Sequence, residues 1–450
     1  MTTPLDSTIF GPLFSDPEIS AIVTDEAFVR ALVDVEKALA RAEARVGVIA
    51  SEYAEAIGKA TVDKIDLFVL AKGTASSGFP IIALVEELRK QVGVEAAPFV
   101  HWGATTQDIM DTAFVLQLRA AVSLIRPRLG EIARHLSSLA DRHRNTILAG
   151  RTHGQQALPI SFGIKAVSWV APLLRHAERL DEIALRLFVV QFGGAAGTLA
   201  ALGDKGLAVT RELASELDLA VPLMPWHVQR DSLVEFGGWL SLVTGTLGKM
   251  AQDIILLAQT EVGEVGESAE KGRGGSSTMP QKSNPITSEL ILAAARTNAS
   301  LLSALHHAQI QEHERATHGW QVEWLTLPQM LILTGGALRH AAYLTENLQV
   351  DTAAMRANIA RANDVVLAEA CVFALAKAMR RPQAEELVKQ ACQTAISGNK
   401  PLVEVVKRLA QGKIAEGAID WHRLAKPENY LGETEAIIDG VLESVNRLVG

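Results

Sequence analysis

The stretch Gly272-Arg273-Gly274-Gly275-Ser276-Ser277-Thr278-Met279-Pro280-Gln281-Lys282-Ser283-Asn284-Pro285 places hydroxyls and an amine in a glycine-rich frame. Glycine and serine make such a segment adaptable, and Pro280 and Pro285 stiffen its exit. Asn284-Pro285 reads as a helix start, with Asn as the cap, Pro at the first helical position and Glu289 in the first turn. Catalytic groups concentrate on loops held between rigid elements. A surface linker is the plain alternative. Two other polar runs could also do chemistry: His101-Trp102-Gly103-Ala104-Thr105-Thr106-Gln107-Asp108, and Gly150-Arg151-Thr152-His153-Gly154-Gln155. Some signals point away from chemistry. The glycines before Ser276 make no P-loop, because no Gly-Lys-Ser/Thr closes them. His306, His307, His313 and His318 lack the spacing of a metal set, so no metal is expected. Glu261, Glu264, Glu267 and Glu270 read as a solvated face.

Long helices must position these runs. The 450 residues allow a large core. They are 48% hydrophobic and 21% charged, with aromatics at 5%, which favours closely packed helices. A net charge of −8 argues against a nucleic-acid partner but leaves room for a local cluster of cations. Cys371 and Cys392 are too few for a disulfide framework, so a reducing, cytoplasmic setting is expected, with no signal peptide and no membrane span. Thr24 caps a helix whose face is Phe28, Leu32, Val35, Leu39, Ala42 and Val46, ended by Gly47. Amphipathic segments follow at about 51–72 and 80–92. Val115, Leu118, Val122, Ile125, Leu129, Ile132, Leu136 and Leu139 form a heptad seam after a cap at Thr106, with Pro127 inside. A helix is expected from about Pro159 to Gln191, and a shorter one near 206–218. Leu233, Phe236, Leu240, Val243, Leu247, Met250, Ile254 and Leu257 form a second seam. Further helices are expected near 285–312, 328–347 and 433–448, and no strands.

The pattern is an all-α chain: an N-terminal helical domain (1–111), a central bundle of five long helices (112–350) and a small C-terminal helical domain (351–450). The helix from about 107 to 144 would be roughly 50 Å long. It separates the His101 run from the His153 run. If both serve one site, a second chain must complete it, so a homo-oligomer with shared sites is expected.

Together the three runs resemble the signatures of the fumarase/aspartase superfamily, and the third, from Gly275 to Pro285, is very specific. The resemblance covers essentially the whole chain. It implies a three-domain fold whose long helices pool into a tetrameric helical core, with each site built by several subunits. Members of the superfamily move a proton next to a carboxylate while a bond at the neighbouring carbon forms or breaks. By resemblance, Ser276 is the acid/base serine. Lys282 and loop N–H groups stabilise the anion, and Thr152 and His153 form a second unit oriented by Glu289. Thr105, Thr106 and Asn284 bind carboxylates, with His101, Arg151, Gln155, Ser277, Met279 and Arg315 as further substrate contacts. No cofactor is implied.

Within the superfamily, Phe10-Gly11-Pro12-Leu13-Phe14-Ser15-Asp16-Pro17 and the helix Leu32–Ala40 resemble the bacterial 3-carboxy-cis,cis-muconate cycloisomerases of protocatechuate breakdown. The rival family is adenylosuccinate lyase. Its usual His-Asp pair is replaced here by Ser77-Gly78-Phe79-Pro80. Its nucleotide-holding Ser-Ser-x-Glu-Arg becomes Trp320-Gln321-Val322-Glu323-Trp324, which removes a bidentate partner for phosphate. The substrate implied is a small planar tricarboxylate, with neither nucleic acid nor membrane as partner. A non-catalytic relative that keeps the fold as a packing unit is the alternative of another class.

Overall fold

The computed structural model describes residues 3–268, 274–275, 278–279 and 282–449. After short helices at Gly11–Phe14 and Pro17–Ile22 come α1 (Asp25–Val46), a short helix at Ser51–Gly58, α2 (Leu67–Ser77) and α3 (Ile81–Val92), then α4 (Thr106–Arg142) and the strands β1 (Ile147–Thr152) and β2 (Gln155–Ser161). There follow α5 (Phe162–Leu187), α6 (Gly206–Leu217), α7 (Asp231–Leu257), β3 (Val265–Gly266), α8 (Ile286–Ala308), α9 (Gly319–Asn347) and β4 (Gln349–Val350). Short helices complete the chain up to Thr434–Val449.

Two compact units divide it. The first is Met1–Arg128, His176–Gly245 and Ala293–Arg339; the second is Leu129–Arg175, Thr246–Leu292 and His340–Gly450. The long helices α4, α5, α7, α8 and α9 each contribute residues to both.

Local chemistry explains most boundaries. The Thr24 hydroxyl accepts from the Ala27 N–H, and Gly47 ends α1 in the left-handed region at φ 73°. Every residue of both heptad seams is buried. The helix α7 has the length and composition of a membrane span, yet half of its apolar window is buried within the fold. In the first unit, α1 packs its apolar face against Val209 and Leu213 of α6 within one core. In the second unit, Ile147 and Ala149 of β1 join the core of the C-terminal helices, where Cys371 is buried. Both cysteines are unpaired.

The structure corrects several expectations. The segment 51–72 is broken, because Thr61 and Asp66 each cap a new start, at Val62 and Leu67, by accepting from the N–H groups of Asp63 and Phe68. The helix expected from Pro159 begins at Phe162, since residues 155–161 form a strand and Ser161 accepts from the Ile164 N–H. The helix α9 starts nine residues before Pro328 and carries that proline inside. Strands exist: β1 and β2 pair antiparallel, with Thr152 opposite Gln155, and β3 pairs with β4. Thr106 is the first helical residue of α4 rather than its cap. Thr105 holds the cap position, and its N–H donates to the Asp108 carboxylate in half of a capping box.

Candidate active site

In the first unit, the His101–Asp108 run forms a turn that feeds α4. His101 lies at φ 66° and Gly103 at φ 70°. A Cβ on Gly103 would meet Leu202 at 2.8 Å, so the turn closes tightly on its neighbour. His101 Nδ1 lies 2.6 Å from Oε1 of Glu36, a buried residue of α1. Burial alone would push the imidazole pKa down, but the Glu36 charge and hydrogen bond carry it above its ordinary value.

Asp108 ties this turn to the rest of the unit. Its Oδ1 accepts from the Gly193 N–H at 2.9 Å and from Gln191 Nε2 at 3.2 Å, and lies 2.7 Å from His227 Nε2. Its Oδ2 accepts from the N–H groups of Gly194 at 2.9 Å and Thr105 at 3.0 Å. One buried carboxylate thus fixes the helix start and the Gly193–Gly197 turn. Arg315 Nη1 donates to the Thr105 hydroxyl at 3.0 Å. Burial pulls the Arg315 pKa down against Asp108 and Asp111, and no carboxylate pairs with it among the described residues.

One turn further along α4, Asp111 accepts from Arg230 Nη1 at 2.6 Å and Nη2 at 3.0 Å, and from Trp320 Nε1 at 3.0 Å. Arg230, itself buried, also donates to Glu323 from Nε at 2.8 Å. This network anchors α4 one turn beyond its start, and nothing in the sequence marks it. Its residues are far apart in the chain, and no local pattern marks them.

In the second unit, His153 and Gly154 are the two loop residues of the β1–β2 hairpin, at φ 50° and 76°. Positive φ at both positions is the mark of a type I′ turn. The His-Gly pair between apolar runs was the signal for it. Thr152, His153, Gly154 and Gln155 are exposed at the tip. Arg151 sits lower in the hairpin. Its Nη1 and Nη2 donate to the Glu264 carboxylate at 2.8 and 2.7 Å. Glu264 also accepts from Asn358 Nδ2 at 2.9 Å and is fully buried. Glu264 is therefore not part of a solvated face, while Glu261 is exposed and Glu270 lies outside the described residues. Glu264 clamps the hairpin, and Arg151 is already neutralised within the chain.

Glu267 corrects a second expectation. Its carboxylate accepts from the N–H groups of Thr287 at 2.9 Å and Ser288 at 2.8 Å, so it caps α8 in place of Asn284. An anion at a helix N-terminus outdoes an amide there. Asn284 instead closes the base of the loop, its N–H donating to Gly274 O at 2.9 Å. Gly275 bridges Ser283, and a Cβ on Gly274 would meet Asn284 O at 2.6 Å. The feet of the loop are thus pinned together. Ser276, Ser277 and Arg273 lie outside the described residues. Thr278, Met279, Lys282 and Glu289 are exposed. No hydrogen bond joins Glu289 to His153 within the chain. Among the described residues, no three metal-type ligands converge.

Known proteins resemble this chain along nearly its whole length. Residues 14–297 match the family described as Lyase, and residues 364–441 that described as Adenylosuccinate lyase C-terminus. The 3-carboxy-cis,cis-muconate cycloisomerase of Pseudomonas aeruginosa is 44% identical over 438 residues, 96% of this chain and 95% of the relative. The crystal structure of 3-carboxy-cis,cis-muconate lactonizing enzyme from Pseudomonas putida superposes with a TM-score of 0.92 at 42% identity, covering 99% of this chain and 100% of that one. A fumarate lyase from a Mesorhizobium species gives 0.88 at 40% identity, covering 96% and 98%. The chain belongs to the lyase family of the fumarase/aspartase superfamily.

Proposed function

We propose that the chain catalyses the cycloisomerisation of 3-carboxy-cis,cis-muconate to the γ-carboxymuconolactone in protocatechuate catabolism. The observation that carries this is the near full-length identity of 44% and 42% to enzymes of that name. One substrate carboxylate adds to the neighbouring double bond and closes a five-membered lactone, while a proton goes to the adjacent carbon. That carbon lies α to another carboxylate. The site must therefore supply an acid for the proton and donors for charge that builds on an anionic group.

In this reading Ser276 on the loop exchanges the proton, and Lys282 with loop N–H groups stabilises the carboxylate that gains charge. Thr152 and His153 form the second acid/base unit, with Glu289 orienting the imidazole. Thr105, Thr106 and Asn284 hold carboxylates, with Gln155, Ser277 and Met279 shaping the pocket. The charge balance is specific. Arg151 is spent on Glu264, so Arg315, Lys282 and His101 answer the three negative charges. A serine needs activation by its surroundings to act as a base.

A homotetramer with shared sites belongs to the same reading, with the three-domain partition at about 111 and 350 and a cytoplasmic setting. Two observations support the sharing. His153 and Glu289 are both exposed and unbonded to each other in a single chain. The 37 residues of α4, at 1.5 Å each, make a helix about 55 Å long between the first and second runs.

A second reading is elimination of a fumarate-type product, supported by the 40% identity to a fumarate lyase. The same groups would then take a proton instead of giving one. An absorbance assay with purified protein separates the two, comparing 3-carboxy-cis,cis-muconate, adenylosuccinate and argininosuccinate. Loss of the muconate chromophore alone supports cycloisomerisation; turnover of adenylosuccinate alone refutes it. Unchanged turnover in Ser276→Ala would remove the catalytic assignment of the serine.

A further inference from the structure

We propose that Glu36 is a positioning residue for this reaction, holding His101 as an imidazolium whose Nε2 is left to meet a substrate carboxylate. The inference rests on the polycarboxylate reading above and adds to it the source of one positive charge.

The geometry leaves His101 little freedom. Its backbone is held in the left-handed region, in a turn closed against Leu202. Its Nδ1 meets Glu36 Oε1 at 2.6 Å, a short contact of the charge-assisted kind. The Glu36 side chain is 1% exposed and that of His101 is 17% exposed, so the pair faces outward through the imidazole.

The surrounding charges favour the same state. From α1, Glu36 and Glu43 face the region; Arg89 comes from α3 and Asp108 from α4. Arg89 is occupied by the carbonyls of Ala97 and Val100. Asp108 is occupied by the donors described above. Glu43 lies seven residues after Glu36, two helical turns along the same buried face. Neither of its oxygens has a hydrogen-bond partner. Burial, and then the charge on Glu36, push its pKa up to about 9, so it stays a neutral acid. Of the two buried α1 carboxyls, only Glu36 touches a basic side chain. A histidine serving the fold alone needs only one neutral hydrogen bond. Burying an ionised carboxylate is costly unless a cation answers it.

The test is Glu36→Gln, which keeps the shape and an acceptor but removes the charge. Two readouts are used: the ring carbon NMR titration of His101, assigned with His101→Asn, and KM with kcat for 3-carboxy-cis,cis-muconate at pH 6 and pH 8. The titration should fall by about one unit in the variant, a tenfold change in imidazolium population above both pKa values. KM should rise more at pH 8 than at pH 6, by up to about tenfold, with kcat nearly constant, following that population. Glu36→Asp, which keeps the charge, should hold the titration near wild type. An unmoved titration in Glu36→Gln, or a KM rise equal at both pH values, overturns the proposal. Should the wild type not turn over the muconate, the substrate reading fails while the titration still decides the pair. Should Glu36→Gln not fold, the titrations of Glu36→Asp and wild type decide it: a wild-type value at or below that of free histidine overturns the proposal.

Discussion

Asp108→Asn changes one oxygen to an amino group at almost constant shape. Asp108 accepts from donors on both oxygens, and all of them are protein groups in a fully buried place. The new amino group must face one side. Facing the Oδ1 side, it opposes Gly193, Gln191 and His227. Facing the Oδ2 side, it opposes only Gly194 and Thr105, so that is the milder outcome. Each orphaned buried N–H costs about 1–3 kcal/mol, so the pair costs about 2–6 kcal/mol. Local relaxation returns part of this, and a net loss of about 3 kcal/mol is expected. Urea titrations followed by circular dichroism measure it. The loss should reach the site, because the Thr105 N–H starts α4 beside the hydroxyl that Arg315 holds. KM should therefore rise more than kcat falls. A stability change below about 1 kcal/mol, less than one orphaned donor should cost, with wild-type KM would refute the reasoning.

Arg230→Met leaves Asp111 and Glu323 buried without their cation, and about 3–5 kcal/mol should be lost near neutral pH. Burial already holds the Glu323 carboxyl above its usual value, against the pull of Arg230, and the variant raises it further. A folded-state pKa above the unfolded one makes the folded form the stronger proton binder, so stability falls as pH rises through that window. The variant should thus lie closer to wild type at pH 5 than at pH 8 in thermal melts; a pH-independent gap would contradict this. Glu267→Ala removes the acceptor of two first-turn N–H groups of α8 and should cost about 1–2 kcal/mol by urea midpoint, with part restored in Glu267→Gln. Mixing His153→Ala with Ser276→Ala subunits by unfolding and refolding should recover about a quarter of wild-type activity if each site takes the two residues from different copies. Recovery of none would place both on one chain.

The long helices were legible because burial along one face repeats every three or four residues, and that periodicity is local. Thr24 and Gly47 mark their helix ends because a cap acts within a few residues. Pairings distant in the chain carried no such mark. Arg151 meets Glu264 across 113 positions, and Glu267 reaches forward 20 to cap α8. A glutamate every third residue looks like a wet helix face; only the fold reveals that Glu264 has a buried cation beside it. The hairpin was missed for another reason. Its residues alternate poorly, with Gly150 at a register shift and Pro159 inside β2. The site motifs were recognisable as strings, yet their engagement was not: Arg151 reads as a substrate contact and turns out to be occupied.

The two-residue turn at His153-Gly154 has a consequence for how this stretch tolerates change. A hairpin with a two-residue loop has one register, and lengthening the loop by one residue turns the tip side chain toward the opposite face. Substitutions along β1 and β2 can be absorbed by repacking, whereas an insertion between Thr152 and Gln155 must change the turn type or the register. For this segment the quantity under constraint is loop length. A single-codon insertion there should silence the enzyme while leaving the helices folded.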